Sequence, residues 1–274
     1  MTEAKPGTLY VVATPIGNLE DITLRAIRVL GEADAIACED TRVSSKLLHH
    51  LGVQKRLISY YYPKEQRKKE AVLELLREGR SVALITDSGT PGISDPGAVL
   101  VAAAHAEGCR VVTIPGPSAV AASISVSGIE GRGFHFAGFL PETQQARREE
   151  LQKLARMDVP VVIYVGPHDL SRLLDDLLRY FGDRPLVLAR EMTKKFEEVR
   201  RTSVADMRGR LSDAPKGEFV LVVEPGAVPE VVQPGLDVRF RELLAQGLSR
   251  AQAVKTLSRE TSLSKRRVAE IIGD

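Results

Sequence analysis

From Thr8 to Ile114 the chain repeats one unit: a short apolar run, a loop, then a stretch with apolar residues at helical spacing. The segments "TLYVVA" (8–13), "DAIACE" (34–39), "RLISY" (56–60), "SVALIT" (81–86) and "CRVVTI" (109–114) read as strands. Between them "TLRAIRVLGE" (23–32), "VSSKLLHHLG" (43–52) and "KEQRKKEAVLELLREG" (64–79) read as helices, and "AVLVAAAHAEG" (98–108) as another. "SVALIT" and "CRVVTI" are continuously apolar rather than alternating, which is the mark of strands covered on both faces. The alternation therefore predicts an α/β domain with a mostly parallel sheet.

Beyond Ser127 the pattern changes. "SGIEGRGFHFAGFLP" (127–141) is glycine-rich and reads as an irregular passage into a second domain. That domain has strand-like segments at "VPVVIYV" (159–165), "RPLVLARE" (184–191), "EEVRRTSV" (197–204) and "GEFVLVVE" (217–224), predicting a mixed sheet, and a helix over 170–182 ending at Gly182. "EPGAVPEVVQPG" (224–235) carries three prolines and reads as a linker. Three short helices follow, with Ser249 and Gln252 spaced as a capping box. From Val238 to the end there are eight Lys and Arg against four Asp and Glu, so the positive charge of a chain with formal net charge +2 is concentrated there. The expected organisation is an N-terminal α/β domain at 1–117, a second at 118–230 and a helix-turn-helix-like module at 236–274.

Composition removes several classes. No apolar stretch approaches the ~20 residues of a membrane span, so no membrane partner is expected. "MTEAKPGTLYVV" shows no charged-then-apolar leader, and Cys38 and Cys109 stand apart without a CxxC, which predicts reduced buried thiols in a cytoplasmic protein. The five histidines lack cysteine or carboxylate partners at ligand spacing, so no metal is expected.

The loops hold the chemistry. In parallel α/β sheets ligands sit beyond the carboxyl ends of strands. Three glycine/proline loops occupy such ends: "TPIGNLED" (14–21), "DSGTPGISDPG" (87–97) and "PGPSA" (115–119). Glycines there let backbone approach a ligand and adopt positive φ. Neither GxxxxGK[ST] nor a GxGxxG after the first strand is present, which argues against P-loop nucleotides and a standard dinucleotide site.

"TPIGNLEDITLRAIRVL", "ACEDTR", "ITDSGTPGISDPG", "IPGPSA", "FAGFLP" and "AREMTKKFEE", in this order over nearly the whole chain, resemble the ribosomal RNA small-subunit methyltransferase I family, within the tetrapyrrole methylase superfamily. The resemblance implies two α/β domains of tetrapyrrole-methylase type with S-adenosyl-L-methionine in the cleft between them, a small C-terminal helical module, and a homodimer. It implies 2′-O-methylation of a decoding-site cytidine in 16S rRNA, with free rRNA or the 30S subunit as partner. Carried over by motif, Ser88, Gly89, Thr90 and Ile93 are a first cofactor contact, Ser118 and Ala119 a second, and Val165 and Gly166 a third, while Ile16 faces the same cleft. Asp40 matches a position used as a base by tetrapyrrole-methylating relatives. Its alternative reading is a cap for the helix starting near Arg42.

Glu191 and Lys194 are further catalytic candidates. Arg190 or Lys194 suits a phosphate or a developing alkoxide, with a structural ion pair as the alternative. Arg42, Arg190, Lys265, Arg266 and Arg267 are the RNA-binding candidates. Tyr60, Tyr61 and Tyr62 are candidates for stacking on a base, at least one of them being core. Asp87 and Asp95 are expected only to shape their loop. Where the family usually has Glu-Ser-Pro-His-Arg after the strand at 159–165, this chain has Val165-Gly166-Pro167-His168-Asp169. Two other readings stay open: a small-molecule methylase of tetrapyrrole type, and a ligand-sensing regulator with a nucleic-acid-binding tail.

Overall fold

The computed structural model describes residues 7–61, 65–211, 215–226, 236–261, 268–269 and 272. The first half runs β1 (Thr8–Val12), α1 (Leu24–Glu32), β2 (Ala35–Cys38), α2 (Thr41–His50), β3 (Arg56–Ser59), α3 (Glu65–Arg77), β4 (Val82–Ile85), α4 (Ala98–Ala106) and β5 (Arg110–Ile114). The five strands form one sheet in the order β3-β2-β4-β1-β5. Every pairing in it is parallel. All residues of β4 are buried, as its unbroken apolar run predicts, and so are those of β2. β5, read from its run as covered on both faces, is instead an edge strand in which only Ile114 is buried. On one face Leu9, Ala37 and Leu84 pack with Leu73 and Leu76 of α3 and Leu100 of α4. On the other, Val12, Ile36 and Ile85 pack with Leu30 of α1 and Leu48 of α2.

The second half runs α5 (Ala119–Ser127), β6 (His135–Phe139), α6 (Gln144–Leu154), β7 (Val161–Val165), α7 (Leu170–Phe181), β8 (Pro185–Arg190), β9 (Glu198–Ser203), α8 (Val204–Arg210) and β10 (Phe219–Val223). Its sheet has the order β6-β7-β10-β8-β9. Only β6 and β7 pair in parallel, and β10 lies antiparallel between β7 and β8. The mixed sheet matches the sequence expectation. Ile163, Leu188 and Leu221 face α6, α7 and α8, meeting Leu151, Leu174 and Met207. Val162, Val187 and Val220 face the opposite way, onto Val120 of α5.

One segment departs from expectation. Residues 127–141 are not irregular throughout, since "HFAGF" forms β6. The glycines hid it: the register shifts between Phe136 and Gly138, and Gly138 has φ +64°. A bulge of this kind bends an edge strand and breaks the alternation by which strands are recognised. α8 also forms within a stretch assigned no helix from sequence.

The chain divides into two compact units, Met1–Gly226 and Ala227–Asp274. In the second, α9 (Leu236–Ala245) and α10 (Arg250–Thr261) enclose Leu236, Phe240, Leu243, Ala253 and Leu257 with Val268. The expected capping box is present: Ser249 N donates to Gln252 Oε1 at 2.9 Å, and Gln252 N to Ser249 Oγ at 3.4 Å. Cys38 and Cys109 are buried free thiols. Among the described residues no helix is long and apolar enough to cross a membrane.

Two glycines with opposite surroundings give opposite expectations. Gly31 lies in α1 and a Cβ there meets nothing within 4 Å. Gly31→Ala should raise stability by roughly 0.4–1 kcal/mol in denaturant titration, since alanine loses less backbone entropy on folding. Gly97 has φ +143°, and a Cβ would lie 3.1 Å from both the Gly92 nitrogen and Leu84 Cδ2. Gly97→Ala should lower stability by about 1–3 kcal/mol.

Candidate active site

The strand ends of the first sheet are tied together before any side chain is added. Thr14, fully buried after β1, donates its N–H to Gly89 O at 2.8 Å and accepts from Gly89 N at 3.1 Å. Its hydroxyl donates to Thr86 O at 3.1 Å. Gly89 makes this exchange at φ +77°, a conformation other residues adopt only with strain. Within the same loop Gly92 N donates to Pro96 O and Ile93 N to Thr90 O, at 3.1 and 3.2 Å. Thr90 Oγ1 donates to Pro117 O at 3.1 Å, joining the loop after β4 to the loop after β5. The polar loop at 87–97 is thus a fixed frame.

Above this frame lies a cavity of about 350 Å³, closed from the opposite side by the second sheet. The first half supplies Ile16, Ser88, Gly89, Thr90 and Ile93; Ser118 and Ala119 lie at the start of α5, and the second sheet supplies Val165 and Gly166 at the end of β7. All nine residues named as cofactor contacts line this one space. The second half also contributes Ala189 and Met192 from the end of β8, and Glu218, Phe219 and Val220 from the start of β10. Size and apolar lining are those of a small-molecule site. The wall at Gly89 is open: a Cβ there would meet only Ile16 Cγ2, at 3.7 Å.

Four further lining residues carry chemistry: Asp95, expected from sequence only to shape its loop, and Phe139, Tyr164 and Glu218, which were not among the candidates. Ser118 makes no side-chain cap on α5. The Tyr164 hydroxyl takes that place, accepting from the Val120 N–H, and burial pushes the phenol up to about 12. Phe139, 63% exposed, meets Tyr164 edge-on with ring centroids 5.5 Å apart. Phe139 sits in the hidden strand β6, which is why it escaped notice. Glu218 is one of three members of an ionic cluster at the rim. Lys194 Nζ lies 2.9 Å from Glu191 Oε1 and 2.8 Å from Glu218 Oε2.

The carboxylates beside the first-half loops are driven apart in acidity. Asp40 N donates to Asp87 Oδ1 at 3.1 Å, and Asp87 N to Glu39 Oε2 at 3.4 Å. Burial raises Glu39 and Asp87. Asp95 is pushed up to about 7, first by burial and then by the charges of Glu39 and Asp87. Asp40 goes the other way: hydrogen bonds from the Arg42 side chain and N–H hold it at about 2. Neighbouring acids separated in this way mark acid/base assignments.

The remaining expected residues have definite places. Asp40 does not line the cavity; its carboxylate caps α2 through Arg42 N at 2.8 Å and pairs with the Arg42 guanidinium at 2.6 Å. The structure therefore gives Asp40 the capping role and occupies it with Arg42. Glu191 and Lys194 form the rim ion pair, with Glu191 Oε1 also accepting from Glu218 N at 2.9 Å. The stem of Lys194 lies against Gly17, where a Cβ would come 2.4 Å from Lys194 Cγ, so the loop after β1 docks on the loop after β8. Arg190 faces away from the cavity. Tyr60 is core and Tyr61 half-buried. Tyr62, Lys265, Arg266 and Arg267 lie outside the described residues.

The sequence profile of the Tetrapyrrole (Corrin/Porphyrin) Methylases matches residues 8–208. A Halalkalibacterium halodurans protein named ribosomal RNA small subunit methyltransferase I is 39% identical over 275 residues, covering 97% of this chain and 94% of its own. A protein of the same name from Synechocystis sp. is 40% identical over 271 residues, 97% of each chain. The chain belongs to the ribosomal RNA small-subunit methyltransferase I family. The fold of this methyltransferase is that of a Thermus thermophilus uroporphyrin-III C-methyl transferase solved with S-adenyl homocysteine. That structure matches with TM-score 0.57 and 21% identity, covering 82% of this chain and all of its own.

Asp95 gives the site a pH signature. Its folded value of about 7 exceeds the unfolded value of about 3.9. The folded protein therefore binds this proton more tightly. The stability so conferred is complete below about pH 4 and is lost as pH rises toward 7. Asp95→Asn has no such proton, so its melting temperature should gain on the parent's between pH 4 and 7.5. A constant offset across that range would contradict the assigned shift.

Proposed function

We propose that the protein transfers a methyl group from S-adenosyl-L-methionine to the 2′-oxygen of a cytidine ribose at the decoding site of 16S rRNA, presented by free rRNA or the 30S subunit. Family membership supports rRNA methylation. The convergence of Ser88, Gly89, Thr90, Ile93, Ser118, Ala119, Val165, Gly166 and Ile16 on one cavity supports that cavity as the cofactor site. A homodimer and a cytoplasmic location belong to the same reading. When bound, the cofactor supplies a methyl already activated on a sulfonium.

The residues supply the rest. The backbone of Ser88–Thr90 and the wall at Ala119 hold the cofactor, and the two halves exclude water from it. Holding reactants in line contributes up to roughly 7–11 kcal/mol. A ribose hydroxyl is a weak acid, so a positioned base adds about 10²–10⁴ in rate. Asp95 lines the cavity and titrates near 7, whereas Asp40 is held at about 2 and lies outside the lining. Asp95 is therefore assigned the proton of the attacking hydroxyl. Glu191 and Lys194 keep the rim in place through Glu218. Phe139 offers an exposed ring at the mouth for the substrate base, since bases taken from single-stranded RNA stack on aromatic side chains.

The reading is tested with undermethylated 30S subunits, naked 16S rRNA and methyl-labelled S-adenosylmethionine. Nuclease digestion and mass spectrometry should find 2′-O-methylcytidine; label on a base, or none, would overturn it. Gly89→Val, which turns a branched side chain toward the cofactor's space, should weaken calorimetric S-adenosylmethionine binding at least tenfold, about 1.4 kcal/mol. Asp95→Asn should lower turnover by about 10²–10⁴, a larger fall than for Asp40→Asn, which retains the cap.

A further inference from the structure

Phe219 belongs to two cavities. One is the cleft; the other, about 310 Å³, opens on the opposite face of the second sheet. Its floor is Leu188, Met207 and Phe219, and among the described residues its walls carry four cations, Arg190, Arg200, Arg210 and Lys216, with the single acid Glu198. Strand alternation builds this. Along β9, Glu198 and Arg200 turn toward the pocket, while Arg201 turns away to Glu224 and the Gly128 carbonyl. Arg210 closes the last turn of α8.

One carboxylate serves two of the cations: Glu198 lies 3.8 Å from Arg190 and pairs with Arg200. Arg210 and Lys216 are exposed and have no acidic partner among the described residues. Among the described residues the buried Arg190 Nε has no hydrogen-bond partner, and its guanidinium lies 5.8 Å from the Phe219 ring centroid. An ordinary solvated face spreads its charges and pairs them. Here the described lining holds three positive charges in excess, in a concave site with an apolar floor, which focuses the field on an entering anion. Guanidinium groups suit phosphate oxygens, which they can bind bidentately.

We infer that this second pocket binds a backbone phosphate of the RNA substrate. The inference rests on the function proposed above. Because the two cavities share a wall, a strand presenting its ribose to the cleft continues past the end of the second sheet at this pocket. A phosphate held there fixes the register of the strand without reading its bases.

The test compares the parent, the double variant Arg210→Gln/Lys216→Gln and the control Arg208→Gln, whose cation pairs with Asp175 and lies outside the pocket. Binding to undermethylated 30S subunits and to 16S rRNA is measured from about 50 to 200 mM salt, the range over which phosphate contacts dominate the change. The double variant should bind at least tenfold more weakly, its log–log salt slope flattened by about one unit. Its S-adenosylmethionine affinity by calorimetry should match the parent's, and Arg208→Gln should match the parent throughout. Parent-like RNA affinity and slope in the double variant would overturn the pocket while leaving the proposed function standing, provided the parent methylates rRNA. Equal weakening by Arg208→Gln would also overturn it, by showing that overall charge suffices. A parent that neither binds nor methylates rRNA would bring down both readings.

Discussion

Thr14 and Gly89 exchange backbone hydrogen bonds at 2.8 and 3.1 Å, and the Thr14 hydroxyl reaches the Thr86 carbonyl beneath them. This buried link joins the ends of β1 and β4, neighbours in the centre of the first sheet. With it in place, the loop at 87–97 has one course, and Ser88, Gly89, Thr90 and Ile93 share the edge of one cavity. A buried N–H or carbonyl left unpaired there would cost about 1–3 kcal/mol. The link therefore resists disruption, and it frees the loop from needing an apolar core of its own.

The second half completes the site by lending sheet ends rather than loops. Val165, Ala189 and Val220 come from three adjacent strands, β7, β8 and β10, at one end of the mixed sheet. Ionic contacts fasten the rim where backbone pairing does not: Lys194 joins Glu191 to Glu218. Each such pair, partly exposed, contributes on the order of 0–1 kcal/mol. Their shared cation and the close approach of Lys194 to Gly17 make them a geometric device more than a source of stability.

Much of this was legible in the sequence. The alternation of strand and helix segments announced a parallel sheet, and the unbroken run of β4 its burial, although the similar run of β5 lies at the sheet edge. Residues of three glycine/proline loops singled out in the sequence line one cavity. β6 was not legible, because the bulge at Gly138 interrupts its alternation and glycines on either side read as loop. With β6 went Phe139. Asp95 was visible as a residue, but its raised pKa was not, since that comes from burial and from Glu39 and Asp87, which only folding brings near. Asp40 shows the converse. Its motif position suggested a base, while its spacing to Arg42 suggested a cap, and the local hydrogen bonds favour the cap.

The central claim is that one cofactor is held by both halves at once. Hydrogen exchange with and without S-adenosylhomocysteine tests it directly, because exchange reports protection amide by amide. The account expects slowed exchange in 88–95 of the first half, together with 119–120, 165–166 and 218–220 of the second. Protection confined to one half, or none in either at saturating ligand, would contradict it.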